Sequence, residues 1–213
     1  PNRKVRDAAE AWLVRAYRFA ASAGIARVGG PLGAVASGRD GEEPDAIAEA
    51  DYADLVARML RLADHAREHG IVELYVEPTP LRREWPWTVA QARRMLADVS
   101  AAAVPWKLCV DWGHALFEPV YGGYRARMEP WLAEVGDAIG VIHVQQTDGR
   151  YDRHWDFTEA GIVAPEAAAA LLRRHGLADR PVFLEVFYPF ERDDRSVLDA
   201  VRRSATALRS AFI

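Results

Sequence analysis

Apolar positions along the chain switch between a helical period and short continuous runs. From Arg3 to Ala21, residues Ala8, Ala11, Trp12, Ala16, Phe19 and Ala20 fall at helical spacing, and Gly24 supplies a stop. The same unit then recurs: a helical stretch closes at Gly or Pro, a short Val/Ile/Leu run follows, and the run ends on a polar residue. This pattern predicts helices over 3–23, 46–69, 88–102, 124–138, 165–175 and 195–210. It predicts strands over 25–29, 71–77, 107–111, 140–145 and 181–186. End signals agree. Asp45 can cap the second helix and Gly70 close it. Thr88 with Gln91 forms a capping box, Pro165 suits a first helical turn, and Asp194 can cap the last helix.

The strands are continuous apolar runs, such as Leu74-Tyr75-Val76, Leu108-Cys109-Val110, Val141-Ile142 and Val182-Phe183-Leu184. Such runs suit a parallel sheet covered by helices, and alternation of helix and strand means an α/β fold. A doubly wound sheet usually offers a glycine-rich phosphate loop after an early strand. Gly29-Gly30-Pro31-Leu32-Gly33 matches neither phosphate-binding pattern. A (β/α)8 barrel instead gathers its chemistry at the C-terminal ends of several strands. The sequence has that arrangement.

Composition narrows the field. Half of the 213 residues are hydrophobic, enough for a sizeable core. The net charge of −4 argues against a dedicated nucleic-acid or anionic-membrane binder. Only two of the 27 basic residues are lysines, Lys4 and Lys107. One cysteine, Cys109, excludes an intrachain disulfide, so a reducing compartment such as the cytoplasm is the simpler expectation. No apolar stretch approaches the ~20 residues of a membrane span.

Four strands end on a potential acid or metal ligand. They read Leu74-Tyr75-Val76-Glu77, Leu108-Cys109-Val110-Asp111, Val141-Ile142-His143 and Val182-Phe183-Leu184-Glu185. Any one alone is most simply a solvated strand end. Four in succession in a barrel would converge, and three carboxylates meeting without a cation would repel. One divalent metal resolves the conflict. Three oxygen donors and one imidazole suit Mn2+ first, with Mg2+, Co2+ and Zn2+ as alternatives.

This order of Glu77, Asp111, His143 and Glu185, with the Asp111-x-x-His114 pair, resembles the xylose-isomerase-like barrel superfamily of sugar and sugar-phosphate isomerases and epimerases. The stretch His143-Val144-Gln145-Gln146-Thr147-Asp148, followed by Asp152-Arg153-His154-Trp155, looks most like the tetrulose-phosphate epimerases and isomerases. The resemblance implies a TIM barrel in which Glu77, Asp111, His143 and Glu185 hold the metal. It also implies that Glu77 and Glu185 serve as the acid/base pair across an enediolate, acting on a small ketose or ketose phosphate. His114, Arg150, Arg153, His154 and Trp112 become substrate contacts. Each has a plainer alternative: a solvated arginine, a loop cap, or ordinary core. Trp85, Trp87, Trp112 and Trp155 divide between apolar walls and core. His65, His69 and His175, near helix ends, carry no assigned chemistry.

The same resemblance numbers the 25–29 strand as the family's fourth. The expectation is therefore one partial barrel domain over 1–213, comprising units four to eight without units one to three. The chain lacks an initiator Met and starts inside a helix, as a fragment would; completion of the open side by another chain is the other arrangement, and a homo-oligomer is allowed for. Three further functions share the fold or follow from this expectation. They are an endonuclease IV-type phosphodiesterase, a 3-oxo acid decarboxylase, and an inactive fragment.

Overall fold

The computed structural model describes residues 2–34, 47, 49–121 and 127–213. The chain divides into two compact units, residues 1–109 and 110–213.

In the first unit, helix α1 (Arg3–Ser22) begins at Asn2, whose side chain accepts from the Val5 amide. Strand β1 (Arg27–Gly30), helix α2 (Glu49–Glu68), strand β2 (Glu73–Val76), helix α3 (Val89–Asp98) and strand β3 (Trp106–Asp111) follow. The last two residues of β3 already belong to the second unit. β1 and β2 are parallel, from Arg27 opposite Glu73 to Gly30 opposite Val76. β2 and β3 are also parallel, with Leu74 opposite Trp106 and Val76 opposite Leu108. Along β2, Leu74 and Val76 are fully buried, while Glu73 and Tyr75 stay partly accessible. The strand alternates, so Glu77 continues the Glu73–Tyr75 face.

The glycines after the first helix serve packing. A Cβ at Gly29 would overlap the Cβ and backbone of Tyr75 on β2. Gly33 has φ +74°, and its carbonyl accepts from the Trp85 amide at 3.2 Å. α1 and α2 are joined through the nearly buried Arg58. Its guanidinium reaches Asp7 and Glu10 at 2.7 Å each and Asp54 at 2.8 Å.

The second unit continues with the short helices α4 (Trp112–Ala115) and α5 (Glu118–Tyr121), then α6 (Glu129–Val135) with a 3-10 turn over Gly136–Ala138. Strand β4 (Ile139–Val144), helix α7 (Pro165–Arg174), strand β5 (Val182–Leu184) and helix α8 (Asp194–Phe212) complete it. β4 and β5 are parallel, with His143 opposite Phe183. Ile142, Val144, Ala168, Ala169, Leu172 and Ala200 are buried in its core.

The order of the main helices and all five strands agree with the sequence expectation, with local corrections; the short helices α4 and α5 after β3 were not expected, being too brief for a helical period to show. α3 stops at Asp98 rather than 102. The alanines at 101–103 have helical propensity, but Ser100 and the β-branched Val99 before them do not, and the Ser100 and Ala102 amides turn back tightly to Ala97 and Val99. The cap of α8 is Asp193, not Asp194: Asp193 has an extended backbone and accepts from the Ser196 amide at 3.0 Å. Asp194 lies in the first turn, where its charge favours the helix dipole. The Thr88–Gln91 capping box and Pro165 at the start of α7 are as expected. Asp45, and the part of the 124–138 helix before residue 127, lie outside the described residues. Among the described residues no helix is long and apolar enough to cross a membrane.

Candidate metal centre

Asp111 ends β3 and is the N-cap of α4, which is why an Asp-x-x-His spacing works here. Its Oδ1 accepts from the His114 backbone amide at 2.7 Å. The same oxygen accepts from the Gln145 side-chain amide, also at 2.7 Å. Its other oxygen, Oδ2, is buried with no hydrogen-bond partner among the described residues. Asp111 as a whole is 1% exposed. Burial pushes its carboxyl above the ordinary range, opposed by His114 and the hydrogen bonds on Oδ1.

His143 and Glu185 come from the paired strands β4 and β5. His143 lies on β4, and Glu185 follows the end of β5, with its amide donating to the Val144 carbonyl. The His143 Nδ1 and Glu185 Oε2 lie 2.8 Å apart. That contact holds Glu185 below the usual carboxylate range despite its partial burial. Donor atoms of Asp111, His143 and Glu185 lie within 4.8 Å of one another. Two carboxylates and an imidazole, with one buried carboxylate oxygen bare, fit a divalent cation.

A second trio adjoins it. Asp152 Oδ1 lies 2.9 Å from His154 Nε2 and 3.5 Å from His114 Nε2. Burial would raise the Asp152 carboxyl, but the two imidazoles hold it well below its ordinary value. For His154, burial alone would lower the imidazole. Asp152 outweighs this, with Asp111 and Glu185 adding to it, so the ring is raised overall. His154 is 5% exposed, packs at a tilt against Phe187 with ring centroids 4.4 Å apart, and has φ +45°. The loop holds this conformation because Gln146 and Trp155 exchange two backbone hydrogen bonds at 2.8 and 3.1 Å.

The remaining sequence-assigned residues are placed as follows. Glu77 follows β2 in the first unit, its amide donating to the Gly30 carbonyl at 3.1 Å. His114 is buried on α4, and Trp112 is buried at its start. Arg150 is exposed. Arg153 donates through Nε and Nη2 to Asp148 Oδ2 at 3.0 and 2.9 Å, and its guanidinium lies over Tyr151 and Trp155. Its charge is thus already matched, and Asp148 is lowered in turn. Trp85 is buried, whereas Trp87 and Trp155 are half-buried. Cys109 is buried. His65 pairs with Glu68, and His69 accepts from Arg18, away from these clusters.

Sequence reasoning passed over Gln145, the fully buried residue that contacts both trios. The signal was available. Gln145 lies two positions after His143, so it shares that residue's side of the strand.

The sequence profile of the family described as "Xylose isomerase-like TIM barrel" matches residues 1–210. The chain belongs to this family. Within the family, it is 26% identical over 152 residues to D-erythrulose 1-phosphate 3-epimerase of Brucella abortus (strain 2308). That match covers 67% of this chain and 48% of the relative, so the chain spans about half the length of the curated relative it matches. The crystal structure of a candidate xylose isomerase from Rhodospirillum rubrum ATCC 11170 superposes with a TM-score of 0.90 at 36% identity. It covers 99% of this chain and 71% of that one. D-psicose 3-epimerase from Clostridium cellulolyticum H10 shares the fold at 13% identity and a TM-score of 0.70, over 100% of this chain and 73% of its own.

Proposed function

We propose that this xylose-isomerase-like chain belongs to a divalent-metal-dependent epimerase or isomerase of a small ketose or ketose phosphate, of the tetrulose-phosphate kind. The observation that carries the reading is the bare, buried Oδ2 of Asp111 beside His143 and Glu185. The similarity to an erythrulose-phosphate epimerase supports the substrate class.

Asp111, His143 and Glu185 would hold the cation, with Mn2+ first and Mg2+, Co2+ or Zn2+ as alternatives. The family pattern assigns Glu77 the fourth position. When bound, such a cation supplies Lewis-acid stabilisation of the negative charge that develops as a carbon-bound proton leaves. Glu185, held in its ionised form, accepts a proton on one side of the substrate. Glu77 is assigned the matching transfer on the other. His114 and His154 would orient substrate oxygens, and Trp112 and Phe187 would limit water. Arg150 is the exposed cation proposed for a phosphate, since Arg153 is already occupied by Asp148.

The test is metal counting on protein purified without chelators, followed by solvent deuterium incorporation into tetrulose phosphates. About one metal per chain, lost in His143→Ala and Asp111→Ala, supports the reading. No metal in a folded chain overturns it. One observation favours a second reading: the His114–Asp152–His154 trio adds a further set of donors within 4.8 Å of one another. A metal-dependent phosphodiesterase of the endonuclease IV kind would use it, and two or three zincs per chain would decide for that enzyme.

A further inference from the structure

We propose that Gln145 is the positioning residue that decides which oxygen of Asp111 is presented to the metal. The inference rests on the metal-site reading above and extends it to a residue outside the ligand set.

A carboxylate at a metal site can offer either oxygen, and rotation about its last torsion exchanges them. Here the two oxygens are loaded unequally. Oδ1 takes both donors, the His114 backbone amide and the Gln145 Nε2, each at 2.7 Å. Oδ2 takes none among the described residues, although it is buried. The backbone donor is fixed by the first turn of α4. Gln145 is the side-chain donor, and nothing of it is exposed. Two short hydrogen bonds on one oxygen oppose rotation of the carboxylate and leave Oδ2 as the free one.

Gln145 also reaches the neighbouring trio. Its Nε2 lies 3.5 Å from His154 Nδ1. His154 Nε2 is taken up by Asp152 at 2.9 Å. One amide group thus touches the metal-facing carboxylate and the ring of the second cluster together.

The amide fits where it does because Gly113 carries no side chain. A Cβ at Gly113 would stand 2.6 Å from Gln145 Nε2 and 3.3 Å from Asp111 Oδ1. Gly113 is in a helical turn and has no positive φ, so its small size is what the site uses. This yields a second, independent handle: Gly113→Ala removes no polar group and changes no ligand, yet must displace the amide.

The experiment compares the wild type with Gln145→Met, which keeps the volume and removes the donor, and with Gly113→Ala. Mn2+ affinity is measured by isothermal titration calorimetry, and the thermal midpoint of each metal-free protein is measured alongside. The expected result is an affinity loss of about 10- to 100-fold in both variants. Metal-free midpoints should stay close to wild type. Wild-type affinity in both variants overturns the inference while the metal site stands. So does a lowered midpoint with unchanged affinity, which marks Gln145 as a packing residue only. Should Gln145→Met fail to fold, Gly113→Ala decides alone by the same affinity criterion. Absence of Mn2+ binding in the folded wild type overturns the metal site itself, and the positioning role with it.

Discussion

Single residues at this site hold conformations that their neighbours impose. His154 sits at φ +45°, a region that costs a side-chain-bearing residue about 1 kcal/mol or more and that Asn tolerates better than Ala. Its ring is kept there by Asp152 on one side and Phe187 on the other. Both His154→Ala and His154→Asn lose the ring contacts, but Ala also bears the backbone cost. His154→Ala should therefore be less stable than His154→Asn by about 1 kcal/mol in urea unfolding. Equal stability would show that the loop relaxes out of this conformation. The four strand-end residues proposed to hold the metal were legible in sequence because acids and a histidine ending apolar runs are a conspicuous pattern. Gln145 was legible only as sharing the side of His143; the hydrogen bonds that single it out appear only in the structure.

Elements carry a different kind of constraint. Parallel β1 and β2 approach so closely at Gly29 that any side chain there meets the Tyr75 backbone. Gly29→Ala should destabilise by about 3 kcal/mol or more, because backbone rather than a flexible side chain would have to move. A melting curve resembling wild type would refute the close approach. α1 and α2 depend on Arg58, whose three carboxylate partners would be left with one another if it were removed. Arg58→Ala should cost about 2–3 kcal/mol, below the range for a wholly buried pair because Asp7 is half exposed. Arg61 and then Arg58 hold Glu10 below its ordinary value, and Arg58 does the same for Asp54. Depressed acids contribute stability above their unfolded values, near pH 4 to 4.5, and lose it as pH falls further. The thermal midpoint should therefore drop below about pH 4.5, and drop less in Arg58→Ala, whose acids have lost that partner. Equal slopes in the two proteins would assign the acid sensitivity elsewhere. Helix starts such as Thr88–Gln91 were readable because capping is local. The early end of α3 falls at Val99 and Ser100, ahead of the favourable alanines.

At the scale of the molecule, a cation held by Asp111, His143 and Glu185 would tie β3, β4 and β5 to folding. Any ligand that binds only the folded state adds RT ln(1 + [L]/Kd), about 2.7 kcal/mol at a hundredfold excess over Kd. Mn2+ should raise the thermal midpoint, and EDTA should return it to the metal-free value. The shift should shrink as pH falls, because the ligands must be deprotonated to bind. A midpoint indifferent to metal at neutral pH would contradict the site. Apolar periodicity, capping and strand-end chemistry are written within a few neighbouring positions, so the order of the main elements, the parallel strands and the residues ending them could be read from the amino acids. It also carried the family, through the spacing of Glu77, Asp111, His143 and Glu185. The folded structure was needed to see that Asp111 leaves one buried oxygen without a hydrogen bond and loads the other, that Arg153 is neutralised by Asp148, and that His114, Asp152 and His154 share a cluster. Those facts depend on how side chains turn in space, some between near neighbours such as Asp148 and Arg153 and some across 34 positions as for Gln145 and Asp111, and periodicity carries no information about either.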